Sequence, residues 1–196
     1  EHMGDLLCTV GRRNDARRQF GAVLAWAGAT GDSTGEARMQ RKLAGLHWEA
    51  GERERSFACL REGLRLLDGS DAVAKADSGL DIERAHLCQE MGRLFFRTGD
   101  NPAAMDWGER ALHQAERAAA HGQADGARNK EATAAMSHAL NTMGAALARM
   151  ERPTEAVSHI ERSVTVALGA GLLQAACRSY ANLGVLYATL DPGRAV

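Results

Sequence analysis

The sequence predicts an all-α fold of antiparallel helix hairpins, and three observations support this class. A large apolar residue followed by Gly or Ala, with a bulky side chain three positions later, recurs five times along the chain. The composition is 45% hydrophobic and 25% charged with only three prolines, which is typical of a helix-rich globular protein. No stretch shows the strict apolar–polar alternation of a half-buried strand.

The recurring signature has a second half. The five signatures begin at Met3-Gly4, Leu43-Ala44, Met91-Gly92, Met143-Gly144 and Leu183-Gly184. In the first four, another small residue follows twelve positions after the Gly or Ala, namely Ala16, Ser56, Ala104 and Ala156. This pattern resembles the tetratricopeptide repeat (TPR) family over nearly the whole chain. The resemblance implies an α-solenoid of antiparallel hairpins, coiled into a right-handed superhelix.

The small residues have a physical reason in close helix packing. Gly92 and Ala104 are expected where the first helix of a hairpin, helix A, crosses the second, helix B. A larger side chain there would push the two helices beyond the ordinary interaxial distance of roughly 8–10 Å.

The elements follow in order as one array over residues 1–196, with both ends inside a repeat. The approximate repeats are 4–30, 37–68, 80–120, 128–170 and 172–196. Gly11, Gly51 and Gly99 are expected at the turns from helix A to helix B, because Gly readily adopts the left-handed conformation that ends a helix. Glu151 and Asp191 replace Gly in the last two of these turns.

The spacing between signatures is longer than in a minimal TPR array. Successive signatures lie roughly 40–52 residues apart, against a usual period of 34. The extra residues lie mainly between one repeat and the next, and they predict breaks in the helices at residues 69–79 and 121–126. Together with the segment 172–184, these long repeats resemble arrays in bacterial regulators linked to nucleotidyl cyclase or ATPase modules. The resemblance implies that this chain is a regulatory or sensor segment cut from a larger signalling protein.

The resemblance also implies a concave groove lined by helix-A positions. The residues expected there are Arg38, Arg41, Trp48, His86, Gln89, Arg93, Phe96, Arg97, His138, Asn141, Arg149 and Arg178. Six of them are arginines, although the chain as a whole has a net charge of −1. Arginines bind carboxylates in bidentate fashion and aromatic residues anchor a partner, so an acidic protein or peptide is the expected partner. The alternative is that the arginines form an ordinary solvated helix face.

Motifs of catalysis do not appear in the sequence. There is no phosphate-binding GxxxxGK[ST] loop, no GxSxG elbow and no HExxH zinc motif. The four cysteines are isolated, without CxxC or ligand-like spacing. We therefore expect a non-catalytic chain without cofactor or metal. The unpaired cysteines favour a reducing, cytoplasmic location, and no apolar run reaches the roughly 20 residues needed to cross a bilayer.

Three alternatives stay open beside a protein partner. A small effector would need an enclosed pocket near Arg93, Phe96, His138 and Asn141, whereas an open groove would favour a protein. RNA binding is disfavoured, because the inward positions do not repeat as a base-reading code requires. Self-association through the uncapped ends is the third alternative.

Overall fold

The structure is a computed structural model that describes residues 1–70, 78–121 and 126–190, all of whose regular elements are α-helices. The helices are α1 (His2–Thr9), α2 (Arg13–Thr30), α3 (Ser33–Glu49), α4 (Arg53–Ser70), α5 (Ser78–Thr98), α6 (Asn101–His121), α7 (Gly126–Arg149), α8 (Pro153–Gly169) and α9 (Leu173–Leu190). The predicted all-α class is confirmed.

The two predicted breaks fall mostly on residues 71–77 and 122–125, which lie outside the described residues. Their edges differ from the prediction. Helix α4 continues through Gly69 to Ser70, and α5 already begins at Ser78. His121 and Gly126 are likewise helical, although both were predicted to belong to a break.

The chain divides into two compact units, Glu1–Ala76 and Asp77–Val196. The first unit contains α1 to α4, in which each helix packs on the next one along the chain. Its core combines Phe20 of α2 with Met39, Leu43 and Leu46 of α3. Gly4 of α1 lies against the Phe20 ring, leaving no space for a larger residue.

The second unit contains α5 to α9, again with consecutive helices packed on each other. Helix α7 also contacts α5 and α9, so it is the central element of this unit. Layers of small apolar side chains join α5, α6 and α7, for example Ala85 with Ala115 and Ala135. Because alanine side chains are short, these layers let the helix backbones approach closely.

The turns inside helix pairs agree with the predicted glycine positions. Gly11, Gly51 and Gly99 have φ values of 78°, 79° and 91°, in the left-handed region. Glu151 occupies the equivalent turn between α7 and α8 with φ 58°, a conformation that costs a residue with a side chain more than it costs Gly.

The predicted close crossing of α5 and α6 is present. A Cβ added to Gly92 would lie 3.2 Å from the carbonyl oxygen of Ala104 and 3.4 Å from the nitrogen of Gly108. Gly144 of α7 has the same relation to α8, with the Ala156 carbonyl oxygen at 3.0 Å. Gly184 of α9 differs, since no atom of another described helix lies within 4 Å of its added Cβ.

A chain of three buried hydroxyls crosses the α7–α8–α9 region. The Ser137 and Ser163 Oγ atoms are 3.0 Å apart, and the Ser163 and Ser179 Oγ atoms are 2.8 Å apart. Ser163 also donates to the Ser137 carbonyl oxygen at 2.7 Å. All three side chains are 1% exposed or less, so these mutual hydrogen bonds replace the water that the hydroxyls lose on folding.

Candidate functional site

A pocket in the second unit brings together seven of the predicted groove residues. We call it the arginine pocket; its volume is about 210 Å³. The lining residues are Gln89, Arg93, Phe96, Arg97, His138, Asn141, Thr142, Ala145, Arg178 and Asn182. None of these ten residues is acidic.

Helical spacing explains why α5, α7 and α9 each turn several residues toward this pocket. Gln89, Arg93 and Arg97 of α5 are four positions apart, and side chains at that spacing share one helix face. Arg178 and Asn182 of α9 have the same spacing. The residues between them supply the buried side of each helix, such as Met91 and Leu94 in α5.

Burial divides the lining into floor, wall and rim. Gln89 and Asn141 are buried at 8% and 9% exposure and form the floor. Arg93 and His138 are half-buried, whereas Arg178 is exposed at the rim. Charged groups thus lie at the water-facing side and amide groups at the desolvated side.

The floor and wall contain polar groups with few internal partners. The Asn182 amide donates to the Asn141 side-chain oxygen at 3.0 Å. No described residue hydrogen-bonds to the side chains of Gln89 or His138. Since buried polar groups in folded proteins normally have a hydrogen-bond partner, the buried Gln89 and half-buried His138 side chains are available to solvent or to a ligand in the pocket.

The arginines differ in their electrostatic surroundings. Arg93 forms an ion pair with Glu90 one turn earlier on α5, with its Nε 2.9 Å from the Glu90 carboxylate. Arg178 forms no ion pair within the described part of the chain. Burial and then the positive charge of Arg178 lower the pKa of His138 below its ordinary value, and Glu90 opposes this effect only in part. Burial and Arg178 therefore favour the neutral imidazole of His138 over its imidazolium.

Phe96 and Arg149 form a pair at the edge of the arginine pocket. The Arg149 guanidinium stacks 3.7 Å from the centre of the Phe96 ring and donates to the Phe96 carbonyl oxygen at 2.7 Å. One face of the ring is thereby covered. Arg149 ties α7 to the end of α5 rather than lining the pocket.

The other predicted residues lie outside the arginine pocket. His86 is half-buried on α5, one turn before Gln89. Arg38, Arg41 and Trp48 are on α3 in the first unit, where Arg38 pairs with Glu1 at 3.4 Å. The Trp48 ring lies under the Arg53 guanidinium, 5.8 Å from it.

Three lining residues were not predicted from the sequence: Thr142, Ala145 and Asn182. Asn182 is four positions after the predicted Arg178, so helical spacing could have identified it. Thr142 directly follows the predicted Asn141 and shares the pocket with it because three helices meet there.

Other features of the described residues are less suited than the arginine pocket to be the functional site. A larger depression of about 550 Å³ lies along α7 and α8, but Lys130 is the one charged residue among those that line it. Within the described ranges, no group of three His, Cys, Asp or Glu side chains is placed to hold a metal ion. No described helix combines the length and apolarity that a transmembrane span requires.

No protein-family model matches the sequence, and none of the curated proteins is a significant match to it.

Proposed function

We propose that the chain is a non-catalytic scaffold that binds an acidic protein or peptide, with the arginine pocket receiving a carboxylate. One observation carries the proposal. Arg178, which has no ion-pair partner among the described residues, faces the unpartnered Gln89 and His138 side chains across a pocket without acidic residues. A carboxylate placed there would gain charge-assisted hydrogen bonds, which are roughly twice as strong as neutral ones.

The size of the pocket supports a peptide over a free small molecule. Pockets that enclose whole small ligands have volumes of roughly 300–1,000 Å³, whereas the arginine pocket has about 210 Å³. That space suits one side chain or a chain terminus, with the rest of the partner lying along the neighbouring helix faces. A small effector is therefore the less favoured ligand.

The TPR-like solenoid belongs to the same proposal. Its support is the repeated geometry of two helix pairs, in which Gly92 faces Ala104 and Gly144 faces Ala156 at twelve-residue separation. In such an array the partner is chosen by a few side chains on a generic scaffold. We propose that this scaffold is the regulatory or sensor segment of a larger bacterial signalling protein.

The proposal is tested by the binding of a labelled acidic peptide. The probe is a short fluorescent peptide of alternating Glu and Leu, and its partner probe has Gln in place of Glu. We expect the acidic probe to bind and Arg178→Glu to weaken that binding about tenfold or more, because a charge-assisted contact contributes about 1.5–3 kcal/mol.

Lys130→Glu is the matched control, since it makes the same charge change on an exposed residue of α7 outside the arginine pocket. It should leave the affinity nearly unchanged. Equal affinity for the acidic and amide probes, or an equal loss in both variants, would refute a carboxylate site.

A further inference from the structure

His138 gives the arginine pocket a property beyond simple charge attraction. It lies on the central helix α7 in the pocket wall, where it interacts electrostatically with Arg178 of α9 and Glu90 of α5. Neither ring nitrogen has a hydrogen-bond partner among the described residues. The imidazole is thus placed to contact whatever occupies the pocket.

We propose that His138 is the specificity-determining residue of the arginine pocket and takes up a proton from solvent when a carboxylate binds. This inference rests on the proposed function. The bound carboxylate accepts a hydrogen bond from the imidazolium, and no covalent bond changes. An amide side chain or a neutral chain terminus would not stabilise the charged ring, so the pocket would discriminate against them.

The balance of charges around His138 explains why the proton is absent before binding. The charged groups facing it are Glu90, Arg93 and Arg97 from α5 and Arg178 from α9. Helices α6 and α8 also pack on α7 but contribute no residue to the pocket lining. Because Arg93 is paired with Glu90, little of the Glu90 charge is left to stabilise an imidazolium.

A carboxylate in the arginine pocket reverses this balance. Its negative charge offsets the repulsion from Arg178 and favours the protonated ring, so the pKa of His138 is higher in the complex than in the free chain. By linkage, affinity must then rise as pH falls through the pKa of the complex, and level off below the pKa of the free chain. Each unit of difference between the two pKa values gives a tenfold change in affinity.

The test measures binding of the acidic probe peptide between about pH 7.5 and about pH 5.5 at constant ionic strength, a range in which Glu side chains stay ionised. We expect about tenfold tighter binding at the lower pH. His138→Gln should lose the pH dependence, whatever its affinity at the higher pH. His159→Gln, at a half-buried position of α8 outside the pocket, should keep it.

A second measurement does not depend on any variant. Calorimetric titration of the unsubstituted chain in two buffers of different ionisation enthalpy reports the protons taken up on binding, and we expect net uptake near neutral pH. Binding without proton uptake, or a pH dependence that survives in His138→Gln, overturns the inference while the proposed function stands. Absence of binding at every pH overturns both.

Discussion

Single glycines decide how closely the helices of this protein approach each other. Gly92 and Gly184 occupy the same position in the recurring signature, each after a large apolar residue on a helix. The two differ in their surroundings. Backbone atoms of α6 lie 3.2–3.4 Å from an added Cβ at Gly92, whereas at Gly184 no other helix in the described part of the chain comes within 4 Å.

This difference predicts opposite effects of the same substitution. Gly92→Leu should lower the free energy of unfolding by about 3 kcal/mol, because the added side chain would clash with backbone atoms of α6. Unlike a flexible side chain, this backbone cannot move aside, so the two helices must separate. The melting temperature, followed by far-ultraviolet circular dichroism, should fall by about 6–12 °C.

Gly184→Leu is the matched control. It should leave the melting temperature unchanged or raise it, because Leu is favoured over Gly inside a helix by up to about 1 kcal/mol. Similar losses in both variants would contradict the close crossing of α5 and α6.

At the scale of the elements, three helices of the second unit are joined by polar atoms inside an otherwise apolar contact. Ser137 of α7, Ser163 of α8 and Ser179 of α9 contribute one hydroxyl each, and Ser163 contacts both of the others. Small hydroxyl side chains keep the close spacing that alanine layers provide elsewhere in the unit. Their hydrogen bonds also fix the relative position of the three helices.

The Ser163 hydroxyl, which contacts the other two, should therefore contribute more to stability than its small size suggests. Ser163→Ala should reduce the free energy of unfolding by about 1–3 kcal/mol, because it leaves the Ser179 hydroxyl buried without the partner that it has in the native chain. Denaturant unfolding measures this loss.

Alanine at all three positions provides the control. It should cost less than the sum of the three single substitutions, since no buried donor is then left unsatisfied. Strict additivity would show that the hydroxyls act independently.

At the scale of the whole molecule, the arginine pocket is complete within the second unit. Its ten lining residues come from α5, α7 and α9. The chain has a net charge of −1, so the proposed attraction of an acidic partner would depend on this local cluster rather than on the overall charge.

A charge reversal in the first unit should therefore have little effect on the short acidic probe. Arg41→Glu on α3 is expected to leave its affinity within about twofold, because Arg41 is not among the residues that line the arginine pocket. Fluorescence anisotropy with the same probe measures this. A loss comparable to that of Arg178→Glu would show that α3 belongs to the binding surface, as the twelve-residue groove predicted.

The all-α class, the glycine turns at Gly11, Gly51 and Gly99, and the close approach at Gly92 could be predicted from the sequence alone. Each of these depends on local chemistry that is readable from one or two residue types. Left-handed turns favour Gly, and a crossing of helix backbones requires a small side chain. The placement of Gln89, Arg93 and Arg97 on one helix face followed from the periodicity of the α-helix, in which residues four positions apart share a face.

The tertiary structure decided which of the predicted groove residues share a site. Arg93 and Arg178 look equivalent in the sequence, yet one is neutralised by Glu90 and the other has no such partner in the described part of the chain. The depressed pKa of His138 arises from burial and from a residue forty positions away. Such properties depend on distances between helices far apart in the chain, and the periodicity of each helix contains no information about them.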